Sequence, residues 1–297
     1  MRIAVTGAGG LLGRAVARRL IESGDEVVAL SSSINAINDI KVVAWNALQD
    51  WRLTAKNLDC VDAIIHVGAH IPVDHNCADE ALKCFEVNAY GTLNLLRASE
   101  LAGVGRFIYI SGANILTPRM AFVQEDDPVD CSYSPFYLGS KVLGEIYVRS
   151  KIVRGLNGLI VRPSTIYGPG MTKGALWGFA EKIKNKTPII LQDGGRFRSD
   201  YVWRDDVARV LCEAVHNNRT GDVNLGSGEA KSILDVAILI LKILNGDKSL
   251  IKFSAIQNKG YISGFSPVNI ERARRWFNFE PVMLQEGLTR WIGKGEL

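Results

Sequence analysis

Short apolar runs alternate with longer segments of helical period along the first half of the chain. Segment 11–23 is typical of an amphipathic helix, because its apolar residues recur at steps of three and four before Gly24. Strands separated by helices predict a doubly wound α/β fold, with a parallel sheet that binds its ligand at the carboxyl ends of the strands. The predicted strands are 2–5, 26–30, 41–45, 62–67, 106–110 and 158–162.

The pattern changes after residues 167–170, "YGPG". Short polar and glycine-rich pieces then alternate with helices, which indicates a smaller C-terminal α/β lobe that closes over the cleft. The predicted helices of this half are 174–185, 205–217, 232–244 and 269–277. We therefore predict a nucleotide-binding domain made of 1–165 with 199–226, and a substrate-binding lobe made of 166–198 and 227–297.

Composition narrows the classes of function. The 297 residues are 47% hydrophobic and 22% charged, which is ordinary for a folded soluble protein. The net charge of +4 is mild and the basic residues are scattered, which makes nucleic acid a poor candidate partner. The five cysteines lack Cys-x-x-Cys spacing, so we expect a reduced, cytoplasmic protein without a metal site. No apolar run approaches the roughly eighteen residues of a membrane span, so we expect no membrane association.

A glycine-rich segment, "VTGAGGLLG", joins the first predicted strand to the first helix. It places Gly7, Gly10 and Gly13 at three-residue intervals. Glycines in this pattern allow a tight turn, close approach of the backbone to a pyrophosphate, and close packing of helix on strand. The helix N-terminus adds free N–H groups and positive potential. The segment therefore predicts a Rossmann-type site for a dinucleotide cofactor.

The choice between NAD and NADP stays open in the sequence. Ser31 stands at the end of the second strand, where an acidic residue would bind the ribose 2′-hydroxyl of NAD. No arginine occurs in 31–40 to neutralise a 2′-phosphate, although Arg14 lies just inside the first helix. Asn46 and Ala47 follow the third strand, where they either bind an adenine edge or form an ordinary turn.

A tyrosine and a lysine four residues apart provide the candidate catalytic pair. Tyr137 and Lys141 share one face if their segment is helical. A free tyrosine has a pKa of about 10, too high for a base at neutral pH. A neighbouring ammonium and the positive nicotinamide ring would lower the pKa of Tyr137.

These features resemble the extended short-chain dehydrogenase/reductase family, in its NAD-dependent epimerase/dehydratase branch, whose best-known members act on nucleotide sugars. The resemblance covers nearly the whole chain and follows the family's motif order. Its segments are "TGAGGLLG", "DAIIHVGAH", "VNAYGTLNLL", "RFIYIS", "YLGSK", "VRPSTIYGPG", "SDYVWRDDVA" and "VNLGSGEAKSI".

The resemblance implies roles for individual residues. Tyr137 would be the acid/base, and Lys141 would bind the ribose and lower the pKa of that tyrosine. Asn88 resembles the asparagine that braces the active-site helix, although an asparagine that caps a helix is an equal alternative. The implied cofactor contacts are Gly7, Gly10, Leu11, Leu12 and Gly13 for the pyrophosphate, Val67 and Gly68 for the nicotinamide ribose, and Pro163 for the nicotinamide.

The chain departs from the family at the catalytic hydroxyl. Alignment through "FIYIS" places Gly112 where the family has serine or threonine. Side chains alternate along a strand, so we expect Ser111 to face away, whereas Asn114 shares the direction of position 112. Ser111, Asn114 or a water would have to replace the missing hydroxyl, and slower catalysis is expected rather than none.

The substrate side departs as well. Ser199 stands where nucleotide-sugar enzymes of the family have an arginine that binds the diphosphate, and Arg198 is adjacent. The position of a second family arginine falls on Lys259, which supplies a point charge but no bidentate fork. Thr165 completes the predicted substrate-binding residues.

The leading hypothesis is a nucleotide-sugar epimerase, similar to a UDP-sugar 4-epimerase, or a close relative. The first alternative is an NADP-dependent reductase of a smaller carbonyl compound, which the altered arginines and Ser31 favour. The second is a catalytically silent protein that binds a dinucleotide, which Gly112 favours. By resemblance, a homodimer would form through the helix that carries Tyr137 and the helix after "VNAYG".

Overall fold

The strands of the computed structural model belong to three sheets. The structure describes residues 1–32, 40, 42–74, 77–119, 121–254 and 264–293. The strands are β1 (Arg2–Thr6), β2 (Glu26–Ser31), β3 (Val42–Ala44), β4 (Ala63–His66), β5 (Arg106–Ile110), β6 (Gly158–Pro163), β7 (Thr165–Tyr167), β8 (Ile189–Leu191), β9 (Arg198–Trp203), β10 (Gly221–Leu225), β11 (Ala230–Ser232) and β12 (Ile251–Phe253).

Helices connect most of these strands. The α-helices are α1 (Leu11–Glu22), α2 (Trp51–Asn57), α3 (Ala78–Lys83), α4 (Gly91–Leu101), α5 (Pro135–Ile152), α6 (Ala175–Lys184), α7 (Arg204–Val215), α8 (Ile233–Ile243), α9 (Glu271–Phe277) and α10 (Leu284–Trp291). A π-helical segment, Cys84–Tyr90, joins α3 to α4 without a break. Within the described ranges, no helix combines the length and the apolar character that crossing a membrane requires.

The main sheet has seven parallel strands within the described residues, in the order β10-β6-β5-β4-β1-β2-β3. Side chains of successive strand residues point to opposite faces, so Ile3 and Val5 pack with α1 and α7, whereas Ala4 packs with α2, α4 and α5. Both faces are therefore covered by helices, as a parallel sheet requires. The predicted doubly wound α/β fold is confirmed.

The smaller lobe has its own core, built from α6, α8, α10 and the sheet β11-β9-β7. Tyr167, Trp203 and Trp291 are among its buried side chains. The segment 199–226 contributes to both parts, because β9 pairs with β7 and β11 whereas β10 pairs with β6. The domain boundaries stay a prediction.

Asp200 on β9 ties the lobe to the main sheet. Its buried carboxylate accepts hydrogen bonds from Ser227 N at 2.7 Å, Gly228 N at 3.1 Å and Val268 N at 3.0 Å. The Ser164 hydroxyl, directly after β6, adds a bond of 3.2 Å. One side chain thus fixes the loop after β10 against the end of β6.

Candidate active site

The glycine-rich turn after β1 has the close backbone packing that the sequence predicted. Gly7 has a φ of +64°, and a Cβ there would lie 2.6 Å from the Gly68 Cα. A Cβ on Gly13 would lie 2.1 Å from the Gly7 carbonyl oxygen. Side chains at these positions would fill the turn, so glycine leaves the backbone open to a pyrophosphate. Gly10 caps α1, whose first residues are Leu11 and Leu12.

The first turn of α1 supplies the N–H groups of this site. The first N–H groups of a helix have no intrahelical partner, and they favour a negative ligand. Leu12 is buried below the turn. Arg14 donates from Nε to the Gly9 carbonyl at 2.9 Å, so its guanidinium lies beside the turn.

The predicted adenosine side lies at the ends of β2 and β3. Ser31 is buried at the end of β2, and its carbonyl accepts a hydrogen bond from Trp45 N at 2.9 Å. The Asn46 side chain accepts from Leu48 N at 2.9 Å, as in an ordinary turn. Ala47 is buried, and its carbonyl accepts from the Asn94 amide at 3.3 Å. The contact of Asn46 and Ala47 with adenine stays a prediction.

Tyr137 and Lys141 lie one turn apart on α5. Pro135 begins this helix at a position where its missing N–H costs nothing. Lys141 is only 3% exposed, and its Nζ lies 4.5 Å from the centroid of the Tyr109 ring. The Tyr109 hydroxyl also donates to the Lys141 carbonyl at 3.2 Å. Tyr109 therefore holds both the backbone and the ammonium of Lys141.

Burial shifts the pKa of both groups in the protein alone. Desolvation by burial raises the pKa of Tyr137 to about 12, with a smaller contribution from Cys84. Desolvation also lowers the pKa of Lys141 to about 7, although the Glu145 carboxylate opposes this shift. Burial thus sets the direction of the Tyr137 shift in the protein without cofactor, and the expected lowering by Lys141 together with the nicotinamide ring stays a prediction.

Asn88 joins the segment after β4 to the catalytic helix. It lies in the π-helical segment, and its amide donates to the Ser140 hydroxyl and to the His70 carbonyl, both at 2.9 Å. Its Oδ1 accepts from His70 N at 2.7 Å. Ser140 in turn donates to the Tyr137 carbonyl at 2.7 Å. Asn88 thus connects two segments of the site, and its bracing role in catalysis stays a prediction.

His66 is a site residue that the sequence analysis did not identify. It ends β4, and its ring is buried with Nδ1 2.6 Å from Thr6 Oγ1 and Nε2 3.0 Å from Thr92 Oγ1. The ring also lies at a centroid distance of 5.7 Å from Tyr109. A polar residue within the apolar run 62–67 is the signal that identifies it. Val67 and Gly68, the predicted ribose contacts, follow directly and are partly exposed.

The end of β5 lacks the expected hydroxyl. Gly112 has extended backbone angles, φ −164° and ψ 138°, and the nearest atom to an added Cβ is the Pro163 carbonyl oxygen at 3.9 Å. The Ser111 hydroxyl is fully enclosed and has no hydrogen-bond partner among the described residues. Asn114 is partly exposed in a short 3₁₀ turn. Pro163, the predicted nicotinamide contact, is buried at the end of β6.

The predicted substrate-binding residues differ in exposure and in hydrogen-bond partners. The Thr165 and Ser199 hydroxyls are 2.6 Å apart, so Ser199 occupies the family's arginine position while bonded to β7. Arg198 is exposed, and its guanidinium donates to the Ala230 carbonyl. Lys259 lies outside the described residues. No group of three potential metal ligands occurs among the residues that the structure describes.

Comparison with known proteins identifies related sequences along the chain. The model of the NAD dependent epimerase/dehydratase family matches residues 3–226. A putative UDP-glucose 4-epimerase of Methanocaldococcus jannaschii is 30% identical over 251 residues, which cover 80% of this chain and 81% of the relative. A UDP-glucuronate 4-epimerase of Thermodesulfobacterium geofontis is 25% identical, with coverage of 97% and 94%.

The three-dimensional structure has similar neighbours. A dTDP-glucose 4,6-dehydratase from Streptomyces venezuelae, solved with NAD bound, superposes with a TM-score of 0.87. It is 25% identical, and the superposition covers 98% of this chain and 96% of that one.

Proposed function

Because the chain belongs to the NAD-dependent epimerase/dehydratase family of extended short-chain dehydrogenase/reductase enzymes, we propose that it interconverts a hydroxyl and a ketone on a nucleotide sugar. The proposed reaction is 4-epimerisation of a UDP-sugar, the activity named for the two relatives. The observation that carries the proposal is the pair Tyr137 and Lys141, which lie one turn apart on α5 with the ammonium buried.

The residues present fit a bound dinucleotide. The turn formed by Gly7, Gly10 and Gly13 excludes side chains and places the N-terminus of α1 toward a pyrophosphate. When bound, the cofactor supplies a hydride acceptor and donor. Family membership agrees with the expected cofactor class, NAD or NADP. Ser31 is buried at the end of β2, and the acidic residue of that strand, Glu26, lies at its other end. Both forms of the cofactor therefore stay candidates.

Tyr137 performs the proton transfer in this proposal. Its phenolate accepts the proton of the substrate hydroxyl, and its phenol returns the proton when the carbonyl is reduced again. Because burial alone raises the pKa of Tyr137 to about 12, the phenolate requires positive charge beside it. The Lys141 ammonium and the cationic ring of the oxidised cofactor are the groups that provide it. If the ketone intermediate rotates and presents its opposite face between the two steps, the product is the epimer.

A second hydrogen-bond donor to the reacting oxygen is expected beside Tyr137. The Ser111 hydroxyl is enclosed, so it would need a rearrangement of its surroundings to serve as this donor. The open space at Gly112 accommodates a water instead, and Asn114 is partly exposed nearby in the chain. We favour the water, since it needs no rearrangement of β5.

The test measures conversion of UDP-glucose and UDP-glucuronate in the presence of NAD, with products separated by chromatography. Tyr137→Phe should lower turnover by about 10²–10⁴-fold, because it removes the acid/base. The affinity for NAD should change less than about twofold, since the phenol does not hold the pyrophosphate. Tyr147→Phe, on the same helix, is the matched control and should retain activity. Full turnover in Tyr137→Phe would refute the mechanism.

A second candidate is an NADP-dependent reductase of a smaller carbonyl compound. Ser199, bonded to Thr165, leaves the family's diphosphate position without a guanidinium, and this observation favours the reductase. Stabilisation of the protein by NADP but by no nucleotide sugar, together with NADPH oxidation by a small ketone, would select it.

The proposed assembly is a homodimer formed through α5 and the helix pair beside it. Exposed apolar side chains lie on or directly beside these elements: Leu82 on α3, Phe85 in the π-helical segment, Leu101 on α4, Ile146 on α5, and Val153 directly after α5. Apolar surface on adjacent helices is typical of a self-complementary interface.

A further inference from the structure

The hydrogen bonds around His66 have one consistent direction. Thr92 has one hydroxyl proton, and when it donates to the Asn88 carbonyl at 2.5 Å its oxygen accepts from His66 Nε2–H. In the neutral ring Nδ1 is then an acceptor, and the Thr6 hydroxyl donates to it. Thr6 Oγ1 accepts from Gly68 N at 3.0 Å. Each donor in this chain thus has an acceptor only when His66 is the neutral Nε2–H tautomer.

The two ends of this chain lie in different parts of the site. Thr6 directly precedes Gly7, and the backbone of Gly7 contacts that of Gly68. The Thr92 end reaches Asn88, whose side chain bonds Ser140 and, through it, the turn of α5 that carries Tyr137. The imidazole is therefore one connection between the cofactor turn and the catalytic helix, beside the direct bonds of Asn88 to His70.

Electrostatics keep the imidazole in this form. The ring lies beside Tyr109, on which the Lys141 ammonium rests. Burial and, to a smaller extent, the charge of Lys141 lower the pKa of His66 to about 3. A second proton would leave the Thr6 hydroxyl without its acceptor and would add a positive charge near Lys141.

We infer that His66 is a positioning residue: hydrogen-bonded between Thr6 and Thr92, it couples occupation of the glycine-rich turn to the placement of Tyr137 and Lys141. A catalytic role of the placed Tyr137 rests on the proposed function, whereas the effect on cofactor binding does not.

The first test is spectroscopic and uses the unaltered protein. In protein labelled with ¹⁵N-histidine, the imidazole signals that disappear in His66→Gln belong to His66. We expect a protonated Nε2 and an unprotonated Nδ1, unchanged between about pH 5 and 8. A protonated Nδ1, or titration within this range, would overturn the inference.

The second test measures binding of NADH without any sugar. Thr92→Val deletes the far hydroxyl of the chain with little change of shape, and we expect NADH affinity to fall about five- to tenfold. Thr92→Ser restores the hydroxyl and should restore affinity. Ser99→Ala is the matched control, because Ser99 is a buried hydroxyl on the same helix that bonds only Leu96 O in the described structure. Equal affinities in Thr92→Val and Ser99→Ala would refute the coupling.

A double-mutant cycle locates the coupling in one chain. Thr6→Val and Thr92→Val interrupt the same series of bonds, so their combined loss of NADH affinity should be smaller than the product of the single losses. A fully multiplicative loss would mean two separate packing effects and would overturn the inference. Because no sugar is present, absence of epimerisation would refute the proposed function and leave this result intact.

Discussion

At the level of one residue, Gly112 tests the proposed catalytic site. Its extended backbone accepts any side chain, and 3.9 Å of space separates an added Cβ from the nearest atom. Gly112→Ser should therefore place a hydroxyl beside the reacting oxygen and raise kcat on the order of ten- to a hundredfold. The measurement is steady-state turnover of the sugar that the wild type accepts.

Gly178→Ser serves as the control, because an added Cβ there also meets no atom within 4 Å but lies on α6 of the lobe. Its turnover should equal that of the wild type. A folded Gly112→Ser protein with lower turnover would mean that the glycine makes room for the substrate.

Burial of the Lys141 ammonium lowers the free energy of unfolding of the cofactor-free protein. Burial lowers its pKa from 10.5 to about 7, so between these values the unfolded chain holds a proton that the folded chain has released. The free energy of unfolding therefore falls as the pH decreases from 10.5 to 7, and the full cost is present below pH 7. Lys141→Met should remove this cost and raise the stability of the cofactor-free protein at pH 7 by a few kcal/mol, roughly.

Urea unfolding between pH 6 and 10 checks this prediction. The gain in Lys141→Met should shrink as the pH rises and vanish near the ordinary lysine pKa. Lys151→Met on the same helix, where the partly exposed ammonium pairs with Glu100, is the matched control for loss of a lysine from α5. A constant difference between Lys141→Met and wild type across the range would contradict the explanation.

At the level of elements, the carboxylate of Asp200 on β9 holds this strand against the segments around it. Asp200→Asn replaces one acceptor oxygen by an NH₂ group that faces backbone donors such as Gly228 N and Val268 N. Donors left unpaired in a buried site cost about 1–3 kcal/mol each, so we expect a loss of about 2–4 kcal/mol in the free energy of unfolding. Asp205→Asn, a partly exposed carboxylate on α7, should change it by less than about 1 kcal/mol. Equal urea midpoints for the two variants would contradict the role of Asp200.

Local patterns predicted the elements better than their pairing. The runs that form β1, β2, β4, β5 and β6 are apolar enough to identify from sequence, as buried parallel strands are. The sequence did not indicate that β9 leaves the main sheet, because pairing depends on distant partners such as β7 and β11. Helix α10 was not predicted, although it buries Leu288 and Trp291. The π-helical form of Cys84–Tyr90 has no local signal at all.

The candidate site also combines features that local sequence predicts with features that depend on distant segments. The glycine turn and the Tyr137–Lys141 pair follow from spacing, since a turn and a helix face are local geometry. His66 was missed because its role exists only where β1, β4 and α4 meet. The upward shift of the Tyr137 pKa in the protein without cofactor was not predicted, because sequence does not reveal how deeply that phenol is buried.

For the whole molecule, the outstanding question is whether two copies associate. Leu82 and Phe85 are 61% and 49% exposed, and Ile146 on the neighbouring α5 is 53% exposed. A two-fold axis through α5 would bury this apolar surface in both copies at once. The same contact would restrain the helix that carries Tyr137, so association and turnover should depend on each other.

Ile146→Asp tests this assembly, because a carboxylate at the centre of an apolar interface would be buried without a partner. Light scattering after gel filtration should give twice the chain mass for wild type and the single chain mass for Ile146→Asp. Ile190→Asp is the matched control, since Ile190 is 61% exposed but lies on β8 of the lobe, and it should remain dimeric. A monomeric wild type, or dissociation of both variants alike, would exclude α5 as the interface. If Ile146→Asp is a folded monomer, its lower kcat with unchanged NADH affinity would locate the effect of the partner at Tyr137 rather than at the glycine-rich turn.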